Sequence, residues 1–132
     1  MKKNLHFIHL KNVPILEQLQ LEEALLRTDS RNICLVNQGS SQAIVMGISG
    51  EPEKLLHLDS VRSDQIPVIK RFSGGGTVIV DENTLFISFL FNKEDLDISP
   101  FPEPLLRWSA DLYAKSWKIP DFALQEQDYA IG

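Results

Sequence analysis

The run Lys70-Arg71-Phe72-Ser73-Gly74-Gly75-Gly76-Thr77 gathers the residues best suited to chemistry in this chain. Three consecutive glycines lose more backbone entropy on ordering than any other triplet. They are tolerable where the backbone must come very close to something. With no Cβ atoms in the way, amide N–H groups can surround a phosphate or carboxylate as an anion nest. Lys70 and Arg71, immediately before, would add charge-assisted hydrogen bonds to the same anion. The bland alternative is a flexible hairpin loop. Two phosphate-binding loops are excluded by pattern: no Gly-Lys-Ser/Thr follows, and Gly-x-Gly-x-x-Gly at a strand-to-helix turn is absent.

Other reactive side chains are sparse. Cys34 lies in an apolar strand and reads as a small core residue. As the single cysteine it leaves no intramolecular disulfide and no cysteine-based zinc cluster. His6 and His9 fall on opposite sides of a strand and His57 is distant, which disfavours a zinc site. Asp81, ahead of Glu82-Asn83, reads as a turn residue.

The elements that must position the glycine run follow from periodicity and punctuation. A strand is expected over 5–10, and Pro14 suits the first turn of a helix. Leu16, Leu19, Ala24 and Leu26 recur at near-helical spacing to about Arg27, with polar residues between them. Short β-rich runs at 33–36 and 43–46 flank a polar stretch and predict a hairpin. A short helix over 52–58 and a strand over 67–71 lead to the glycines. Beyond them, 77–80 and 84–91 are β-prone, and the second is apolar on both faces, as in a strand at the middle of a covered sheet. Residues 92–104 read as a surface connection, 105–117 as a helix, and 122–124 with 129–131 as the start of another hairpin. The β-like run stopping at Gly132 leads us to expect further sequence.

At 132 residues the chain has enough length for one compact domain with a real core. Its 43% apolar and 23% charged residues are ordinary for a soluble globular protein. No apolar stretch approaches the roughly 20 residues that span a membrane. The N-terminus lacks the apolar core of a secretory signal, and a reducing, cytoplasmic setting is expected. A net charge of −5 disfavours nonspecific nucleic-acid binding.

Residues 70–81, Lys-Arg-Phe-Ser-Gly-Gly-Gly-Thr-Val-Ile-Val-Asp, resemble the signature Arg-Arg-x-Ser-Gly-Gly-Gly-x-Val-x-His-Asp of lipoate–protein ligases. The surrounding order is similar too: Glu22-Glu23 on the first helix, Val45-Met46-Gly47, the strand 83–89, and Gln127-Asp128 near the end. The sequence departs at Lys70 for Arg, which loses the planar fork. It departs also at Val80 for His and Gln127 for Asn.

The resemblance implies an α+β fold, with a mixed, largely antiparallel β-sheet flanked by helices. That catalytic fold is shared by biotin–protein ligases, lipoate–protein ligases and octanoyl transferases. Residues 1–132 would be the N-terminal portion of a single catalytic domain. The resemblance also implies a reaction that joins lipoate to ATP as lipoyl-AMP and passes the acyl group to a lysine of an acceptor lipoyl domain, in 2-oxoacid dehydrogenase or glycine-cleavage proteins. Lys70, Arg71, Ser73, Gly74, Gly75, Gly76 and Thr77 would bind lipoate and the adenylate. Asp128 would sit near the phosphates and Mg²⁺, unless it is a hairpin turn residue. Val45, Gly47 and Phe72 suit an apolar slot for the lipoyl chain and core packing equally. The family's catalytic lysine is expected after Gly132, so within these residues binding should outlast catalysis. Two other readings stay open: an ATP-independent octanoyl or lipoyl transferase, and a non-catalytic module that binds lipoate or the acceptor.

Overall fold

A computed structural model of the chain describes residues 4–125 and 128–131. They fall into two compact units, the first ending at Phe91 and the second beginning at Asn92. The first unit runs through β1 (Leu5–Lys11), α1 (Ile15–Thr28), β2 (Asn32–Gln38), β3 (Ala43–Met46), α2 (Pro52–Leu55), α3 (Leu58–Ser63), β4 (Val68–Lys70), β5 (Val78–Val80) and β6 (Leu85–Leu90).

These strands form two three-stranded sheets, ordered β1-β2-β6 and β4-β3-β5. The β1–β2 and β3–β4 pairs are parallel, whereas β2–β6 and β3–β5 are antiparallel. The middle strands carry the most buried apolar residues: Ile33 and Leu35 in β2, and all four residues of β3. Burying each such side chain contributes about 1.5–3 kcal/mol. Ile15, Ala43, Val45 and Val80 form a buried cluster, with Leu19, Ile69 and Phe86 packed against it. The turn before β6 is held by Asp81, whose Oδ1 accepts the N–H of Asn83 at 2.9 Å.

Three expectations need correction. Residues 33–36 and 43–46 do not form a hairpin, because β2 and β3 lie in different sheets. The link between them is bonded elsewhere: Gly39 N–H donates to the Thr84 carbonyl at 2.9 Å and Ser40 N–H to the Asp81 carbonyl at 3.1 Å. The Ser40 hydroxyl also accepts the N–H of Ile15 at 2.9 Å, tying the link to the start of α1. The strand expected at the middle of a sheet, β6, flanks β2 instead, and its side chains are at most half-buried. Finally, α1 turns inward a face that shares only Leu19 with the expected apolar spacing. Its buried residues are Ile15 and Gln18, while Leu16 and Leu26 are exposed. The polar Gln18 is accommodated because both its amide oxygen and its amide nitrogen are hydrogen-bonded within the fold.

The second unit holds α4 (Pro102–Trp117), then the antiparallel pair β7 (Phe122–Gln125) and β8 (Asp128–Ile131), the hairpin expected from the sequence. Pro102 and Pro104 fall in the first turn of α4, where a missing N–H costs little. Tyr113 stacks on Trp117 with ring centroids 4.6 Å apart, and Tyr129 meets Tyr113 edge-on at 5.3 Å. The Ser109 and Tyr129 hydroxyls are hydrogen-bonded. No helix among the described residues is long and apolar enough to cross a membrane.

Candidate functional site

The glycine loop begins where β4 ends. Arg71 N–H donates to the Met46 carbonyl at 2.8 Å, which continues the β3–β4 pairing by one step. The Arg71 side chain turns back on its own loop. Its Nη2 donates to the carbonyl oxygens of Gly76 at 2.7 Å and Gly74 at 3.2 Å. The segment after β3 holds the loop as well, since Ile48 N–H donates to the Ser73 carbonyl at 2.9 Å.

Two glycines are required by this arrangement. Gly75 has φ of +116°, and a Cβ there would lie 2.6 Å from Arg71 Nη2. Gly47 is buried, and a Cβ there would lie 2.4 Å from the Gly75 carbonyl oxygen. Backbone packs on backbone at that point, so a methyl group has no room. By contrast, Cβ atoms at Gly74 and Gly76 would meet nothing within 4 Å. The loop is thus pinned from behind and open at the front.

Arg71 also lines a cavity of about 300 Å³. The apolar part of its wall comes from Ile15 and Leu19 of α1, Val45 of β3, Val78 and Val80 of β5, and Leu85, Phe86 and Ile87 of β6. Gln18, Glu22 and Ser88 supply polar atoms. A guanidinium beside an apolar wall suits a ligand with an anionic head and an apolar body.

The structure brings only part of the expected set together. Arg71 and Val45 line the cavity. Gly47 lies behind the loop, and Phe72 is half-buried outside the cavity wall. Lys70 is exposed on β4, level with Met46 of β3. Ser73, Gly74, Gly75, Gly76 and Thr77 are exposed. Val80, which replaces the signature's histidine, is 4% exposed and belongs to the core. Asp128 lies in β8, but its side chain is outside what the structure describes, as are Gln127 and Gly132. Among the described residues, no group of three His, Cys, Asp or Glu side chains is placed to hold a metal ion.

Sequence reasoning missed the contribution of α1. Ile15, Gln18, Leu19 and Glu22 stand at i, i+3, i+4 and i+7, one helical stripe facing the cavity. The spacing was visible, but two of its four members are polar, so the apolar pattern selected a neighbouring face. Gln18 is 2% exposed and Asn37 fully buried. Asn37 Oδ1 accepts the Val13 N–H at 3.3 Å, and its Nδ2 donates to the Val13 carbonyl at 2.8 Å and to Gln18 Oε1 at 2.9 Å. Gln18 Nε2 in turn donates to Glu22 Oε2 at 2.9 Å.

Away from the cavity, burial pushes the Cys34 thiol pKa up, as befits a packed core cysteine. Hydrogen bonds from Arg31 hold the Asp29 carboxyl down at about 2.

Comparison with known proteins places the chain in a family. Residues 14–131 match the family model of the lipoyl protein ligase A/B catalytic domain. A curated relative from Plasmodium falciparum, named inactive lipoate–protein ligase 2, is 24% identical over 141 residues, covering 86% of this chain and 36% of its own. The crystal structure of P. falciparum LipL1 in complex with lipoate superposes with a TM-score of 0.77 at 18% identity, over 98% of this chain and 41% of that one. The bipartite lipoate protein ligase of Thermoplasma acidophilum, described together with its E2 lipoyl domain, gives a TM-score of 0.74 at 20% identity, over 92% and 48%. The chain therefore spans less than half the length of each of these proteins. The chain belongs to the lipoyl protein ligase A/B catalytic domain family.

Proposed function

We propose that this chain is the N-terminal portion of a lipoate–protein ligase catalytic domain, and that it binds lipoate with Arg71 at the carboxylate end. The observation that carries this reading is the shared cavity: Arg71 and eight apolar residues line one space of about 300 Å³. That volume is at the small end of ligand pockets, in keeping with a short acyl chain. The lipoate-bound LipL1 structure, similar over 98% of this chain, supports the choice of ligand. The family match runs from residue 14 to 131, across both compact units, and supports reading them as parts of one domain.

In the proposed reaction, a lipoate carboxylate oxygen attacks the α-phosphorus of ATP and pyrophosphate leaves. The ε-amine of an acceptor lysine then attacks the acyl carbon, forming an amide and releasing AMP. Arg71, braced against the loop carbonyls, would hold the carboxylate in place for attack and offset the negative charge of the α-phosphate oxygens beside it. Lys70, Ser73, Gly74, Gly75, Gly76 and Thr77 would border the adenylate from the open side of the loop. Val45 would contact the acyl chain, with Gly47 and Phe72 shaping the loop behind it. The proposal retains Asp128 as the carboxylate near the phosphates and Mg²⁺, on the family pattern alone. The acceptor would be a lipoyl domain, a choice supported by the Thermoplasma ligase described with its E2 lipoyl domain. A reducing, cytoplasmic setting belongs to the same proposal, supported by a free, buried Cys34.

A second reading, a module that binds lipoate without ligating it, is favoured by the name of the P. falciparum relative, an inactive ligase. Incubation with lipoate, ATP·Mg²⁺ and an apo lipoyl domain, followed by intact mass of the acceptor, separates the two. The ligase reading expects a lipoyl mass gain that requires ATP. A gain from an acyl-carrier thioester supplied in place of lipoate and ATP, with the carrier thiol as leaving group, indicates a transferase instead. No gain, with lipoate still bound, leaves the binding module.

A further inference from the structure

The buried amides of Asn37 and Gln18 have their direction imposed by the backbone. At Val13 the main chain offers one N–H and one C=O, and their polarity is fixed. Asn37 must therefore present Oδ1 to that N–H and Nδ2 to that carbonyl. Reversing the amide would set its oxygen against the Val13 carbonyl oxygen and its NH₂ against the N–H. With Nδ2 in place, Gln18 receives a donor and must present Oε1. Its own NH₂ is then left to face Glu22, at 2.9 Å. The last member of the chain can only accept. Glu22 Oε2 meets that demand, and the bond fixes where the carboxyl group sits.

Both amides of the relay are costly to disturb. Asn37 is fully buried and Gln18 is 2% exposed, and no buried side-chain polar atom among the described residues lacks a partner. Low local dielectric strengthens such bonds and penalises any mismatch among them. Glu22 is only half-buried and lines the same cavity as Arg71. The cavity wall therefore carries one cation, Arg71, and one carboxylate held in place from inside the core.

We propose that the Asn37–Gln18 relay positions the Glu22 carboxylate in the cavity wall, so that the cavity accepts acids with an uncharged far end and rejects those with a second anion. The inference rests on the reading of this cavity as an acyl-acid site. Gln18 and Asn37 are positioning residues, and Glu22 is the group the ligand meets. An acid whose carboxylate is held by Arg71 would bring a second carboxylate into a confined space shared with Glu22, where like charges repel over a few ångströms. An uncharged terminus, whether alkyl or cyclic disulfide, meets no such repulsion.

The test compares octanoate and octanedioate, which share an eight-carbon chain and differ by the second carboxylate. Calorimetric titration of the wild-type chain should show octanoate binding at least tenfold more tightly. In Glu22→Gln that ratio should collapse to under about threefold. Gln18→Leu should lower the ratio too, although Glu22 is retained; a wall residue with no positioning role would leave it unchanged. If Gln18→Leu fails to fold by circular dichroism, the Glu22→Gln ratio decides alone. A wild-type ratio near one, or an unaltered ratio in Glu22→Gln, overturns the inference while leaving the acyl-acid reading intact. Failure of the wild type to bind either acid removes both.

Discussion

The glycine loop and the amide relay of α1 approach the same cavity in opposite ways. The loop is conspicuous in sequence and exposed in structure, held by a few hydrogen bonds from Arg71 and Ile48. The relay is inconspicuous in sequence and buried, with each described polar atom bonded to a partner of fixed direction. The difference teaches that a ligand site can place its adaptable parts on the surface while a stiff interior sets what the wall presents. Changes in the loop should then be read mainly in binding, and changes in the relay first in stability.

Asn37→Ala should show the largest effect. It leaves the Val13 N–H and the Gln18 oxygen without their partner inside the core, at a cost of about 2–4 kcal/mol. Urea denaturation measures this; a loss below about 0.5 kcal/mol would show that the relay does not stiffen the core. Next comes Gly75→Ala, which forces a side chain into a left-handed conformation and against the Arg71 guanidinium. Lipoate affinity should fall about tenfold, the equivalent of one lost charge-assisted bond. Gly74→Ala is the matching control, since its Cβ meets nothing within 4 Å, and its affinity should stay within about twofold. Equal losses in the two variants would mean the loop has no pinned side.

The smallest effect is electrostatic and lies outside both regions. Asp29 titrates at about 2 in the folded chain against an ordinary 3.8, lowered chiefly by its hydrogen bonds to Arg31. A depressed carboxyl pKa adds stability at pH values above the unfolded value, and that stability is lost as pH falls from about 4 towards 2. Asp29→Asn should flatten this part of the acid-denaturation curve slightly. An unchanged curve would show that the pair contributes nothing, as exposed ion pairs often do.

How much of this was legible in the sequence follows the same division. The glycine signature, Pro14 and the β-prone run at 84–91 identified the family pattern and nearly all the elements, because these are local signals, although β6 lies at a sheet edge rather than its middle. The α+β class and the β7–β8 hairpin were read correctly on that basis. Strand pairing was not legible for β2 and β3. Their separation depends on bonds from Gly39 and Ser40 to the turn before β6 and to the start of α1, which lie far away in sequence. The cavity face of α1 was missed because Gln18 looks solvent-facing until Asn37 supplies its partner from 19 residues away. Leu16 and Leu26 belong to the apolar spacing that marked the helix, yet 48% and 55% of their surface is exposed.

The central claim is that Arg71 binds the carboxylate of an acyl acid at the edge of this cavity. Calorimetric titration of lipoate against the wild type, Arg71→Lys and Arg71→Ala tests it most directly, with circular dichroism to establish that each variant is folded. The account predicts measurable wild-type binding, a fall of about 10- to 100-fold in Arg71→Ala, and an intermediate loss in Arg71→Lys, which keeps charge without the fork. Folded Arg71→Ala that binds lipoate with wild-type affinity would contradict it.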